Sequence, residues 1–349
     1  METRLYTVDP SEINRDIITA AGRMIAEGGL VAFPTETVYG LGGDATDAKA
    51  SAAIYAAKGR PSDNPLIVHI YDVGQLPEVG CDIPEEAYSL AQAFWPGPMT
   101  IIVKRSDRIP LETTGGLDTV AVRLPSHPVA QALIRESRTY IAAPSANRSG
   151  RPSPTDATHV IEDLGGRVDC IIDGGRVDIG LESTIIDLTE DVPTILRPGA
   201  ISLKDVIGIT GRAQMDPGLI KPSDDRRPKA PGMKYRHYAP QGELTIVRGK
   251  EQDVVTEING RVLSDIGTGS RVGIIASEET ASLYSHGIVK IIGSRLKPRL
   301  IAHNLYHILR EFDELKVDRI YSESFTGDGI IEAVANRMTK ASGGRIIEV

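Results

Sequence analysis

The residues of this 349-residue chain best suited to chemistry are cations and hydroxyls set at the ends of apolar runs. Lys58-Gly59-Arg60-Pro61-Ser62-Asp63-Asn64-Pro65 places two cations on either side of a glycine as a helical pattern closes. Glycine lets backbone approach a ligand closely, and two cations so spaced can clamp a phosphate. The same charges suit a plain helix end, with Lys58 favoured by the helix C-terminus and Arg60 in water. The charge pattern alone favours that plainer account. Arg123 stands inside Val120-Ala121-Val122-Arg123-Leu124, where a charge needs a partner or a ligand. Arg197 ends Thr194-Ile195-Leu196-Arg197 before a Pro198-Gly199 turn.

Two loops carry the hydroxyls. Phe33-Pro34-Thr35-Glu36-Thr37-Val38-Tyr39-Gly40-Leu41 follows the apolar run Leu30-Val31-Ala32-Phe33, and Gly40, Gly42 and Gly43 read as a turn. A strand end meeting a turn is a common place for a ligand loop, although Thr35 and Thr37 would serve equally well in hydroxyl-capped turns. Pro144-Ser145-Ala146-Asn147-Arg148-Ser149-Gly150 sets Ser145, Asn147 and Ser149 among small residues, with Ser153 just beyond. Its backbone and hydroxyl donors can therefore reach a ligand, and this loop chemistry brings in Asn147. His69 lies in the run Leu66-Ile67-Val68-His69-Ile70, where a lone histidine is more often structural. No glycine-rich phosphate loop is present, and no nucleophile stands out.

The elements that must position these groups fall into two styles. Residues 1–212 mix many short strands with fewer helices, the helices being expected over residues 12–28, 46–58, 85–95 and 128–138 and from Ser153 to Leu164. Residues 213–240 have the Pro, Gly and charge content of a linker, yet contain Met233-Lys234-Tyr235-Arg236-His237-Tyr238-Ala239-Pro240. A plain tether has no need of two tyrosines beside a histidine, so this segment is expected to dock on a site. From residue 241 to 349, strands at 244–247, 271–276, 289–292 and 319–321 alternate with helices at 299–315 and 328–342. That alternation predicts a small parallel α/β domain. Gly267-Thr268-Gly269 precedes a strand and so is no dinucleotide fingerprint. His303 and His307 are four apart, but Asn304 follows His303 where the zinc-protease motif has Glu, so they read as a solvated helix face.

Composition narrows the class. A net charge of −8 argues against a coat for nucleic acid, and hydrophobic residues at 41% are ordinary for a globular chain. Cys81 and Cys170 have no metal spacing and read as two buried thiols in a reducing compartment. No apolar run approaches the ~20 residues of a membrane helix, and Met1-Glu2-Thr3-Arg4 opens no apolar signal, so the cytoplasm is expected.

Together, Pro34–Leu41, Lys58-Gly59-Arg60-Pro61, Asn64-Pro65-Leu66, Pro144–Gly150 and Lys234-Tyr235-Arg236-His237-Tyr238-Ala239-Pro240 resemble the threonylcarbamoyl-AMP synthase family in its long form. The resemblance implies a YrdC-like twisted mixed sheet with a concave cleft, a linker, and a Rossmann-like parallel α/β domain at the C-terminus. It implies that L-threonine, bicarbonate or carbon dioxide, and ATP with Mg2+ yield threonylcarbamoyl-AMP and pyrophosphate. The product would pass to a separate transferase that makes N6-threonylcarbamoyladenosine beside the anticodon of tRNA. Lys58 and Arg60 would hold the triphosphate. Asn64, Thr119, Ser145, Ser153 and Arg197 would contact the nucleotide. Thr37, His69, Arg123, Ala143 through its backbone, and Ser183 would hold threonine, with Arg123 on its carboxylate and Thr35 in the same pocket. Tyr235, Arg236, His237 and Tyr238 would cover the nucleotide, since a carbamate or mixed anhydride hydrolyses in water. Two rivals are a double-stranded RNA-binding module, disfavoured by the acidic charge, and a YrdC-class carbamoyltransferase, in which CxxC pairs would be expected.

Overall fold

The computed structural model describes residues 2–219, 228–231 and 237–349. The chain divides into two compact units. The first comprises Met1–Ser149, Ser153–Asp178 and Glu182–Tyr235; the second comprises Gly150–Pro152, Ile179–Leu181 and Arg236–Val349.

The first unit is built on a mixed sheet of twelve strands among the described residues. They are β1 (Arg4–Thr7), β2 (Val31–Phe33), β3 (Gly40–Asp44), β4 (Ile67–His69), β5 (Gly80–Cys81), β6 (Met99–Arg105), β7 (Thr119–Arg123), β8 (Ile141–Ala142), β9 (Cys170–Asp173), β10 (Thr184–Asp187), β11 (Thr194–Arg197) and β12 (Gln214–Met215). The order across the sheet is β1-β9-β2-β3-β8-β4-β7-β6-β10-β11-β12, with β5 beside β6. Among the described residues seven α-helices accompany it: α1 (Arg15–Ala26), α2 (Ala48–Lys58), α3 (Leu76–Val79), α4 (Glu85–Phe94), α5 (Pro128–Ser137), α6 (Ala157–Leu164) and α7 (Leu203–Thr210). Their ends follow local chemistry. The Asn14 side chain caps α1 on the amides of Asp16 and Ile17, and Asp47 caps α2 on Lys49 N. Gly59, left-handed at φ 62°, ends α2 directly after Lys58.

Three expectations change here. Gly40, Gly42 and Gly43 form strand β3, not a turn. A Cβ on Gly42 would lie 2.7 Å from Ile141 Cγ2 and 2.8 Å from a Phe33 ring carbon. The glycine therefore makes room for packing and does not serve to reverse the chain. Gln214–Met215, read as linker, pairs in parallel with Thr194–Ile195 and extends the sheet. Cys170 is buried as expected, and burial pushes its thiol up to about 12, but Cys81 is exposed.

Alternation divides the central strands. Val68, Ile101, Val103, Val120, Val122, Ile186 and Ile195 join the main core. Ile67, Ile102, Ala121, Ile185 and Leu196 belong to a separate apolar patch, completed by Ala230. These patch residues alternate with the core residues and so lie on the opposite face.

In the second unit, β13 (Glu243–Arg248), β14 (Val272–Ser277), β15 (Ile288–Gly293), β16 (Arg319–Glu323) and β17 (Ile346–Glu348) form an all-parallel sheet in the order β15-β14-β16-β13-β17. Helices α8 (Glu251–Gly267), α9 (Pro298–Glu314) and α10 (Ile330–Ala341) make its crossovers. The polar stretch that becomes α8 and the terminal strand β17 gave no clear signal in the sequence. His303 and His307 are half-buried on α9 and so are not a solvated face. Among the described residues no helix is long and apolar enough to cross a membrane.

Candidate functional site

One row of residues runs straight across five strands of the first unit. His69 on β4 pairs with Arg123 on β7, Arg123 with Thr100 on β6, Thr100 with Ile185 on β10, and Ile185 with Arg197 on β11. Residues paired in register share a face of the sheet, and here it is the face that carries the apolar patch, two residues away along each of several strands. The polar ends of these strands thus collect at one end of that face.

The loop after β2 closes over this row and lies in the interior. Thr35, Glu36, Thr37 and Tyr39 are all buried. Thr35 Oγ1 sits 2.8 Å from Thr37 Oγ1 and 2.6 Å from Val38 O, forming a local hydroxyl turn. Arg123 donates from Nη1 to Thr37 Oγ1 at 2.9 Å and from Nη2 to Glu36 Oε1 at 2.7 Å. Glu36 Oε2 accepts from Ser126 N at 3.1 Å. The charge inside the apolar strand therefore has an internal partner, Glu36, a residue quoted in the motif but given no role in the sequence reading. Both side chains are near 5% exposed, and Arg123 Nε is buried with no hydrogen-bond partner. A carboxylate between two threonines and an arginine within an apolar strand were each visible in the sequence; their pairing needed the fold.

His69 packs its ring edge-on to Phe33, with centroids 6.3 Å apart. Its Nδ1 lies 3.1 Å from Ile67 O, which can only accept, so Nδ1 carries the proton and Nε2 holds the lone pair. Burial, then the Arg123 charge, lower its pKa to about 3. The ring is therefore neutral at physiological pH.

At the far side of the row, Arg197 donates from Nε to Ser183 O at 3.0 Å and from Nη2 to Ser183 Oγ at 3.1 Å. Its Nη1 reaches Pro231 O at 3.5 Å. Ser183 Oγ also lies 2.7 Å from Thr100 Oγ1, a hydroxyl absent from the sequence reading. Lys229 Nζ bonds Asp187 Oδ2 and Glu190 Oε1 at 3.0 Å each. Residues 229–231 of the presumed linker thus belong to the patterned face of the first unit.

A second group gathers at the end of α2. Lys58, buried, donates from Nζ to Ser145 O at 2.5 Å and to Asn147 O. Ser149 N returns a bond to Lys58 O at 2.9 Å. Lys58 therefore fastens the Ser145–Ser149 loop, contrary to a plain solvated helix end. Arg60 turns onto Asn64 O at 3.2 Å and Pro65 O at 3.1 Å. Asn64 Oδ1 is buried with no hydrogen-bond partner. Ser145 Oγ and Asn147 Oδ1 are 2.5 Å apart, and Ser153 Oγ bonds Glu182 Oε1 at the same distance. The two groups meet through backbone: Gly40 bridges Ser145, and Ala143 N donates to Ile67 O at 2.8 Å. Thr119 stands apart at the other end of β7, opposite Lys104.

Tyr235 and Arg236 lie outside the described residues. Tyr238 is buried in the second unit, stacked on Tyr306 at 5.3 Å with the Arg337 guanidinium 5.4 Å from its ring. His237 lies beside it, with ring centroids 5.5 Å apart.

Known proteins match this chain over nearly its whole length. The family model described as Telomere recombination matches residues 23–199, and that of the Threonylcarbamoyl-AMP synthase C-terminal domain matches residues 200–343. A Threonylcarbamoyl-AMP synthase of Bacillus subtilis is 46% identical over 99% of this chain and 100% of its own length. That of Pyrococcus abyssi is 48% identical over 95% of this chain and 96% of its own length. The chain belongs to the threonylcarbamoyl-AMP synthase family. The crystal structure of P. abyssi Sua5 complexed with L-threonine matches this fold with a TM-score of 0.94 at 46% identity, covering 99% of this chain and all of that one. Both units of this family member, the mixed sheet and the parallel sheet, fall within that match.

Proposed function

We propose that this chain is a nucleotidyltransferase that makes L-threonylcarbamoyl-AMP. The carrying observation is the buried Arg123, held by Glu36 and Thr37 with one donor still open, in the same row as His69 and within reach of the Lys58 loop by way of Gly40 and Ala143. Family membership supplies the reaction: the threonine amine attacks carbon dioxide with loss of a proton, or bicarbonate with loss of water, and becomes a carbamate. A carbamate oxygen attacks the α-phosphorus of ATP, and the bond to pyrophosphate breaks. The protein needs no nucleophile of its own; its task is to neutralise charge and align the reactants.

In this reading Arg123 takes the threonine carboxylate with its open donor, Thr37 and Ser183 frame the side chain, and Thr35 orders Thr37. His69 Nε2 accepts from the threonine hydroxyl or ammonium. Ala143 borders the same pocket through its backbone. Lys58 and Arg60 face the triphosphate, and Asn64 presents its open Oδ1 to the nucleotide, with Ser145, Asn147, Ser153 and Arg197 around it. Thr119 meets a more distant part of the nucleotide. Among the described residues no cluster of three or more His, Cys, Asp or Glu could hold a metal ion. In this reading magnesium enters as part of the MgATP substrate, bound mainly by phosphate oxygens. The product feeds a separate transferase acting on tRNA.

The deciding experiment measures pyrophosphate release from ATP and bicarbonate with L-threonine, with L-serine, and with neither. Release that depends on threonine supports the reading, and equal release without it refutes it. The tether is proposed as a lid that keeps water from the intermediates. A chain ending at Pro231, which retains β12 and Ala230, is expected to keep the fold of the first unit but lose threonine-dependent release. Full activity in that shortened chain would remove the lid from the mechanism.

A further inference from the structure

The second unit has a candidate site of its own. Its connections diverge at neighbouring strands: β13 leaves through α8 toward β14, and β16 leaves through α10 toward β17 on the other side. In parallel sheets such a switch point opens a crevice at the carboxyl ends of the strands, where ligands bind. A cavity of about 200 Å3 lies there. It is lined by Gly249 and Glu251 after β13, Thr280 after β14, Arg295 after β15, and Ser324 and Thr326 after β16. Four strand ends therefore converge on one small space.

A buried carboxylate forms part of its wall. Glu323 is 1% exposed. It accepts from Tyr284 Oη at 2.9 Å, from Arg295 Nη2 at 2.5 Å, from Ser277 N at 3.4 Å, and from the Thr280 hydroxyl. Burial and the nearby Glu323 raise the Tyr284 pKa, which keeps it a donor. Arg295 gives its other arm to Ser324 O at 3.1 Å and lies 4.9 Å over the Phe325 ring. Burying a carboxylate costs several kcal/mol before its partners offset it, and a plain strand end has no use for one. The outcome of this network is a single guanidinium held in one orientation at the cavity.

The ligand follows from size and charge. Arg295 favours an oxyanion, and the first turn of α8, whose cap residue Lys250 makes no side-chain hydrogen bond, adds to that preference. Glu251 puts a negative charge on the same wall, which disfavours a phosphate dianion and suits a ligand that also carries an ammonium. The hydroxyls of Ser324 and Thr326 complete the lining, and the volume excludes a nucleotide. We infer that this cavity is a second ligand site that takes a small α-amino acid as its zwitterion, the carboxylate toward Arg295 and the ammonium toward Glu251.

The test is titration of the full-length, isotope-labelled protein with glycine, L-alanine, L-serine and L-threonine in turn, following backbone amide signals. At least one is expected to shift Gly249, Gln252 and Ser324 saturably. Thr326→Leu, an exposed substitution that fills the cavity, should abolish those shifts while the remaining spectrum and pyrophosphate release stay unchanged. Arg295→Lys should weaken binding at least roughly tenfold, the value of one charge-assisted hydrogen bond. Absence of a saturable shift with all four amino acids, or shifts that survive Thr326→Leu, would overturn the site. Inorganic phosphate shifting the same amides when no amino acid does would overturn the ligand class.

Discussion

Each unit buries a glutamate against an arginine, and the two pairs are finished differently. In Arg123–Glu36 both members are near 5% exposed, and the arginine keeps a buried donor without a partner. In Arg295–Glu323 the glutamate is saturated at 1% exposure, while the arginine side chain is 36% exposed. An ion pair sealed on both sides cannot relax into water when one partner is lost, whereas a half-exposed arginine can. The unpaired donor thus lies buried inside the first unit, whereas the second unit presents a partly exposed guanidinium at a cavity. The first suits a substrate that must be dehydrated to react, the second a ligand that only visits.

Glu36→Ala should therefore have the largest effect, about 3–5 kcal/mol, because it strands a buried charge. Arg295→Ala leaves Glu323 with its Tyr284 and Ser277 donors and should cost less, about 1–3 kcal/mol. Urea unfolding with amide exchange resolved by unit measures both, and a greater loss at Arg295→Ala would break the comparison. Next comes Arg123→Lys, which keeps a charge but loses the fork. It should lower kcat/KM for threonine by about 10- to 150-fold, equivalent to about 1.5–3 kcal/mol for a hydrogen bond to a charged group, and act mainly through KM. A change confined to ATP would move Arg123 to the other substrate.

His69 sharpens the first half of the comparison through pH. Its folded pKa is about 3 against 6.5 for the free side chain, so below 6.5 the unfolded chain binds a proton that the folded chain refuses. The stability it contributes is complete above about 6.5 and declines by about 1.4 kcal/mol per pH unit as pH falls toward 3. His69→Gln should remove that slope from urea midpoints measured between pH 7.5 and roughly 5. An unchanged slope would mean that the ring is not desolvated. The smallest effect belongs to a half-buried reference pair, Arg261–Glu257 on α8, where Glu257→Gln should cost about 0.3–0.5 kcal/mol by the same unfolding assay.

Much of this was legible from local pattern. Apolar runs located β4, β6, β7 and β10, and Gly59 marked the end of α2. The parallel second sheet followed from strand–helix alternation. What stayed hidden depends on neighbours distant in the chain. Gly42 reads as a turn until Phe33 and Ile141 fill the space beside it. Glu36 has no evident role until β7 brings Arg123 to it, 87 positions away. Lys58 looks like an ordinary helix end until the Ser145–Asn147 carbonyls arrive, since backbone acceptors leave no mark in composition. Thr100 Oγ1 reads as one more strand hydroxyl until β10 sets Ser183 beside it.

Ala230 closing the apolar patch, together with Pro231 accepting from Arg197, bears on how this chain can be taken apart. A gene cut at residue 212 would strip a strand from the sheet and uncover Ile67, Ile102, Ala121, Ile185 and Leu196 at once. Domain shuffling in such a lineage is accordingly confined to breakpoints beyond residue 231, and a two-piece complementation system should place its split there if the first half is to remain soluble.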